Sequence, residues 1–199
     1  MTHVLIAGAT GKTGRLLAAE ILEKGHTPIA LVRDSSDTNV LPVGTKTRVA
    51  DLTDLPADVC AEADVVVFAA GSGGSTGPEM TDKVDRDGAI ALIDAARRAG
   101  VERFVMLSSY GADQSDPSGD LAHYLKAKHD ADEHLKASGV TYAILRPIAL
   151  TDDAKTGDIR LGEGVDPSGE ARRADVAAVL ADAALKGRLD GHVAEMQTN

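Results

Sequence analysis

The sequence predicts an α/β fold, a doubly wound parallel sheet with helices on both faces. Three observations predict it. Short apolar runs alternate with helix-length segments along nearly all 199 residues, the rhythm of successive βαβ units. Aromatic residues make up only 3% of the chain and tryptophan is absent, although 43% of residues are hydrophobic. The core must then be built of Ala, Val, Leu and Ile, which suits strands covered on both faces. Finally, the first apolar run leads directly into a glycine-spaced turn and a helical pattern, "VLIAGATGKTGRLL".

The elements follow in order. Val4–Ala7 reads as a buried strand, and Arg15–Lys24 as a helix stopped by Gly25. Further strand-like runs lie at Pro28–Val32, Thr47–Ala50, Val65–Ala69, Phe104–Leu107 and Tyr142–Leu145, with a last one at Val193–Met196. Between them fall a short helix near Leu55–Ala61 and longer ones at Asp87–Ala99, Leu121–Ser138 and Ala174–Lys186. Three segments break the rhythm: Gly71–Asp82, Gly111–Asp120 and Thr151–Glu170. The first two follow strands at their carboxyl ends, where open α/β sheets bind ligands. Loops this long inside a compact domain are usually functional or mobile. The whole, 1–199, reads as one domain.

Charge and composition exclude several functions. The net charge of −10 opposes nucleic-acid or anionic-membrane binding, though not binding of one phosphorylated cofactor. No apolar run reaches membrane-spanning length. No basic leader or cleavage site precedes the first strand, so a cytoplasmic protein is expected. The single cysteine, Cys60, cannot form a disulfide within the chain and reads as a small buried thiol. In "HDADEH", His129 pairs by spacing with Glu133, and Asp130 with His134. One helix face supplies too few ligands for zinc, so the segment reads as a solvated face and no metal site is expected. His3, His26 and His192 have no visible partners.

The glycine turn offers two chemistries. A P-loop needs a glycine five places before its Gly-Lys pair, but Ile6 stands there, inside the strand. The spacing of Gly8, Gly11 and Gly14 fits a strand-to-helix turn instead. Gly8 permits the turn, Gly11 lets the backbone approach a pyrophosphate, and Gly14 allows close helix–strand packing. The candidate cradle is therefore Gly8, Thr10, Gly11, Lys12, Thr13 and Gly14, with the anion on the helix N-terminus. The second strand ends in "LVRD". Arg33 lies 19 residues beyond Gly14, where an acidic residue selects NAD and a basic one accommodates the 2′-phosphate of NADP. Its planar fork suits phosphate, and Lys12 could add charge. NADP is the expected cofactor; NAD stays open because Asp34 could take the acidic role if the strand ended one residue later.

With "ADLTD" (50–54), "VVFAAGS" (66–72), "VDRDGAIALIDAARRAGVERFVMLSS" (84–109), "YLKAK" (124–128) and "LRP" (145–147), the chain resembles the short-chain dehydrogenase/reductase superfamily. It is closest to the small atypical branch of NAD(P)H-binding, NmrA-like and epimerase-like Rossmann proteins. "ARRADVAAVL" (171–180) resembles that branch's late R-x-DVA segment. The resemblance implies that Asp51 and Leu52 flank the adenine. It implies that Ala69, Ala70 and Gly71 line the nicotinamide-side ribose, and that Pro147 faces the nicotinamide.

It also implies a catalytic Tyr-x-x-x-Lys pair. Tyr124 and Lys128 are four apart and share a helix face. A phenol is a poor acid–base catalyst at neutral pH, and a neighbouring ammonium favours its phenolate. Lys128 is also expected to hold the nicotinamide ribose. Ser109, or its neighbour Ser108, is expected to hydrogen-bond the substrate oxygen, with Tyr110 as pocket lining. The expected function is an NADP(H)-dependent oxidoreductase moving hydride to a small carbonyl, quinone or flavin-like acceptor. A non-catalytic NADP(H)-binding regulator of the NmrA-like type, acting through a protein partner, is the alternative; a homo-oligomer also stays open. A nucleotide-sugar epimerase or dehydratase fits less well, because only about 50 residues follow "LRP". Substrate contacts are expected from the Gly111–Asp120 and Thr151–Glu170 loops.

Overall fold

A computed structural model describes residues 1–73 and 76–199. Its strands are β1 (His3–Ala7), β2 (Thr27–Val32), β3 (Lys46–Val49), β4 (Val65–Phe68), β5 (Arg103–Leu107), β6 (Tyr142–Pro147), β7 (Leu150–Thr151), β8 (Ile159–Leu161), β9 (Ala171–Arg172) and β10 (His192–Thr198). Its helices are α1 (Lys12–Glu23), α2 (Pro78–Thr81), α3 (Ala89–Ala99), α4 (Ala122–Ala137) and α5 (Arg173–Lys186), with a π-helical segment, Asp82–Gly88, joining α2 to α3. One eight-stranded sheet runs in the order β3-β2-β1-β4-β5-β6-β10-β8. Its pairings are parallel, except that β8 adds antiparallel to β10.

The two faces of the central strands fill two cores. In β1, Val4 and Ile6 join Leu17 and Ile21 of α1 and the alanine-rich face of α5. Leu5 and Ala7 point the other way, to Leu92 and Ile93 of α3 and Leu135 of α4. This is why β1 reads as an unbroken apolar run: neither face meets water. Both phenylalanines, Phe68 and Phe104, are fully buried on the α3/α4 side. Each large aliphatic side chain buried this way contributes about 1.5–3 kcal/mol.

Three expectations change. The segment near Leu55–Ala61 is a series of turns rather than a helix; Val59 and Ala61 bond back to Pro56 and Asp58, three residues away. Of the expected Gly71–Asp82 loop, residues from Pro78 on are helical, with Gly77 as N-cap and Pro78 in the first turn. Gly74 and Ser75 lie outside the described residues. The Thr151–Glu170 segment contains β8, and β7 pairs with β9. Asp175, buried at the start of α5, ties this segment down: it accepts the Thr156 and Gly157 backbone N–H groups at 3.3 and 2.8 Å.

Candidate cofactor crevice and catalytic pair

The glycine turn closes against the end of β4. Gly8 has φ +83°, and a Cβ there would stand 2.6 Å from the Ala69 carbonyl oxygen. At Gly14 a Cβ would lie 2.1 Å from the Gly8 oxygen, so α1 can pack onto the turn only because this residue has no side chain. Gly11 differs. Its φ of −73° is ordinary, and its Cβ would meet only the Gly8 oxygen, at 3.2 Å. The protein makes little demand for glycine there; the open side of Gly11 faces the crevice. Gly11 caps α1 without a side-chain hydrogen bond, and no acidic residue sits in the first turn. The first amides of α1 thus have no intrahelical acceptor, and the positive end of the dipole is uncompensated.

A crevice of about 610 Å³ opens above this turn. Gly8, Thr10 and Gly11 form its floor; Ala69, Ala70 and Gly71 form one wall, and Arg33, Asp51 and Leu52 the other. Arg33 lines it and Asp34 does not, because β2 ends at Val32. Among the described residues no carboxylate pairs with Arg33. Asp51 is held at the rim by its own turn, its Oδ1 accepting the Thr53 N–H at 2.8 Å and hydroxyl at 2.7 Å. The Thr53 bonds, backbone first, and the nearby Arg33 charge hold its carboxyl below the usual range, against a small opposing effect of burial.

Several expected residues stand elsewhere. Lys12 turns away from the crevice and pairs with Asp152, which also accepts Arg173 at 2.7 Å. With Arg15 and Arg173, Lys12 lines a separate shallow cleft. The second cation of the crevice is instead Lys83, contributed by the π-helical segment and paired with Glu79 at 2.7 Å. Thr13 and Gly14 are buried beneath the turn rather than lining the crevice. Pro147 is also buried, its carbonyl taking the Tyr110 N–H at 3.0 Å. Tyr110 packs against the α1/α5-side core instead of lining the crevice.

Tyr124 and Lys128 share a face of α4. The Lys128 Nζ lies 5.7 Å from the centre of the Tyr124 ring and 5.5 Å from that of Phe68. It donates to the Ala70 carbonyl at 3.5 Å, which places the ammonium behind the crevice wall. Its closest charged partner is Asp85, 3.1 Å away, and both side chains are almost wholly buried. Burial by itself disfavours the ammonium, but Tyr124, Asp85 and Asp132 outweigh it, and Lys128 is held above the ordinary lysine range. Asp85 has no local sequence signal, because its partner is 43 residues away.

The two serines separate. Ser108 is buried, and its hydroxyl donates to Asp132 Oδ2 at 2.8 Å. The same oxygen accepts Arg146 Nε at 3.1 Å and Nη2 at 3.0 Å. Burial pushes the Asp132 carboxyl up despite Arg146 and Ser108. Ser108 is therefore committed to this network and is corrected as a candidate for substrate contact. Ser109 is only partly buried and makes one long contact, 3.4 Å, to the Tyr110 carbonyl.

The expected solvated face of α4 is also partly engaged. His129 Nδ1 meets the Ala112 carbonyl and His134 Nε2 meets Asp94, each at 3.0 Å. Among the described residues no three His, Cys, Asp or Glu side chains converge on a metal position. His26 Nδ1 accepts the Thr2 N–H at 3.0 Å, and His192 Nδ1 meets the Asp190 carbonyl at 2.7 Å. His3 lies 3.7 Å from Asp64. Burial pushes the Cys60 thiol up to about 11, the state of an inert core cysteine.

A parallel sheet with a glycine turn at its β1/β4 switch point and a crevice above defines a Rossmann-type dinucleotide-binding protein. The chain belongs to the NAD(P)H-binding family, which it matches over residues 8–186. It is 37% identical over 180 residues to YhfK of Bacillus subtilis (strain 168), described as an uncharacterized sugar epimerase, covering 87% of this chain and 84% of that one. It superposes with a TM-score of 0.94 and 35% identity on a structure from Bacillus halodurans, provisionally described as an NAD-dependent epimerase/dehydratase. That match covers 100% of this chain and 95% of the other. The oxidoreductase ylbE from Lactococcus lactis gives a TM-score of 0.87 at 28% identity, covering 100% and 91%. The family indicates a nicotinamide cofactor, and the residues present fit one: a floor of Gly8, Thr10 and Gly11, α1 amides without an intrahelical acceptor, and at the far rim the Arg33 guanidinium, which pairs with no carboxylate among the described residues. Among the described residues no helix is long and apolar enough to cross a membrane.

Proposed function

We propose that the protein is an NADP(H)-dependent oxidoreductase acting on a small carbonyl, quinone or flavin-like acceptor. The observation that carries this reading is the Tyr124–Lys128 pair, which meets the wall of the dinucleotide crevice through Ala70. In this reading the α1 amides and Gly11 take the pyrophosphate, Arg33 and Lys83 take the 2′-phosphate, and Asp51 and Leu52 flank the adenine. The bound nicotinamide supplies or accepts the hydride. Lys128 holds the nicotinamide ribose, Tyr124 moves a proton at its hydroxyl, and Ser109 orients the substrate oxygen. A non-catalytic regulator has no use for a buried ammonium beside a phenol at this wall. The epimerase descriptions of two relatives favour a second reading, in which the same pair serves a nucleotide sugar.

Calorimetry tests the cofactor. NADPH should bind more tightly than NADH, and Arg33→Ala should cost NADPH about 1.5–3 kcal/mol, the worth of a charge-assisted phosphate contact, while leaving NADH unchanged. Equal affinities in the wild type overturn the NADP assignment. Oxidation of NADPH with quinones, flavins and small carbonyls tests the chemistry, with a nucleotide sugar in parallel. Tyr124→Phe should lower turnover about 10²–10⁴-fold, the usual share of a general acid–base, with NADPH affinity unchanged. A wild type that binds NADPH but reduces no acceptor leaves the regulator.

A further inference from the structure

We infer that Asp85 is the positioning residue for Lys128: its buried carboxylate, carried on the π-helical turn, pins the ammonium at the crevice wall as a fixed charge. The consequence for cofactor binding rests on the function proposed above; the placement of the charge does not.

The carboxylate is anchored from both sides. Its Oδ2 accepts the backbone N–H of Ser72, a residue of the crevice lining, at 2.9 Å. Its Oδ1 lies 3.1 Å from Lys128 Nζ as an ion-pair contact and is otherwise buried without a hydrogen-bond partner among the described residues. A Cβ on Gly71 would come within 3.2 Å of that oxygen, so the crevice wall closes directly over the pair. The carboxylate comes from the middle of Asp82–Gly88, seven residues of π-helix inside an otherwise α-helical stretch. Such turns are rare and concentrate at functional sites.

The other groups facing Lys128 do not replace Asp85. Tyr124 is on its own helix, and the Phe68 ring beneath it is uncharged. Asp132, one turn along α4, is taken up by Arg146 at 3.0 Å and by Ser108. An ammonium has three N–H donors. The Ala70 carbonyl takes one, and Asp85 holds the charge as an ion pair 3.1 Å away, which leaves donor capacity for a ligand hydroxyl. A buried ammonium with no counter-charge would discharge; Asp85 keeps it charged before anything binds. Asp85 thus acts on the cofactor only through Lys128.

Lysine 13Cε resonances followed against pH test this without any cofactor, with the Lys128 signal assigned by its loss in Lys128→Met. In the wild type it should remain in its charged position beyond the ordinary lysine midpoint of about 10.4. Asp85→Asn keeps the shape and can still accept from Ser72, but removes the charge. The Lys128 midpoint should then fall by about one unit or more. NADPH should bind at least about tenfold more weakly, with a larger loss at pH 9 than at pH 7. That added pH dependence should be absent from the wild type and from Asp85→Asn/Lys128→Met. A wild-type Lys128 that discharges at or below the ordinary midpoint overturns the inference, as does a midpoint unmoved in Asp85→Asn. If Asp85→Asn fails to fold, the wild-type titration alone decides. If the wild type binds neither NADPH nor NADH, the proposed activity falls, and the lysine titration still decides the role of Asp85.

Discussion

Helix α4 contributes one partner to each of two buried ion pairs, Lys128 to Asp85 at 3.1 Å and, one turn further on, Asp132 to Arg146 at 3.0 Å. They differ in what their hydrogen bonds are committed to. Asp132 Oδ2 gathers Ser108 and two nitrogens of Arg146, and Arg146 donates onward to the Ala112 carbonyl. That network joins the end of β5, β6, α4 and the start of the Gly111–Asp120 segment, and it presents nothing to the crevice. The Lys128 pair is sparser. It is bound to the crevice through the backbone of Ala70 and Ser72, and the ammonium retains donor capacity. Two pairs of similar burial thus divide into one tied wholly into the packing of the protein and one tied to the backbone of the crevice wall.

Removing one partner of the Asp132–Arg146 pair should produce the largest effect. Asp132→Ala leaves the Arg146 guanidinium buried without a counter-charge and should cost about 3–5 kcal/mol in urea unfolding. Asp132→Leu combined with Arg146→Met should recover most of it, because well-packed apolar residues often replace a buried pair at little cost. An Asp132→Ala protein as stable as wild type would erase the distinction between the pairs.

Ser108 and Ser109 sharpen it at single-hydroxyl scale. Ser108→Ala removes a hydrogen bond to a buried carboxylate and should cost about 1.5–3 kcal/mol. Ser109→Ala should change stability by less than about 0.5 kcal/mol while lowering acceptor-dependent NADPH oxidation. Stability curves and turnover on both variants give the comparison, and a reversed pattern would return Ser108 to the candidate site.

The glycines make a similar contrast at smaller cost. Gly14→Ala drives a Cβ to 2.1 Å from the Gly8 oxygen and should destabilise by about 1–3 kcal/mol, as overpacking does. Gly11→Val meets only one atom, at 3.2 Å. It should keep cooperative unfolding within about 1 kcal/mol of wild type, yet abolish NADPH binding by filling the crevice floor. Retained NADPH binding in Gly11→Val would remove the turn from the proposed site.

Much of this was legible in the chain before any coordinates. Strands β1, β2 and β4 were, because each is buried on both faces and so reads as an apolar run. The turn was too, because Gly8 and Gly14 answer to atoms within a few residues or on the next strand. The Tyr124–Lys128 face follows from helical periodicity alone. What depends on a distant partner was not legible. Lys12 is drawn aside by Asp152, 140 residues away. The choice between Ser108 and Ser109 is made by Asp132, 24 residues on, and β8 exists because the edge of β10 is there to pair with. Asp85 looks like any acidic residue in an acidic chain until the sheet brings α4 against the π-helical turn. Local pattern determines which segments become strand, helix and turn, because backbone geometry and one-sided or two-sided burial act over a few residues. The partner of a buried charge is decided only by tertiary packing, since its cost and its compensation both arise when the chain closes around it.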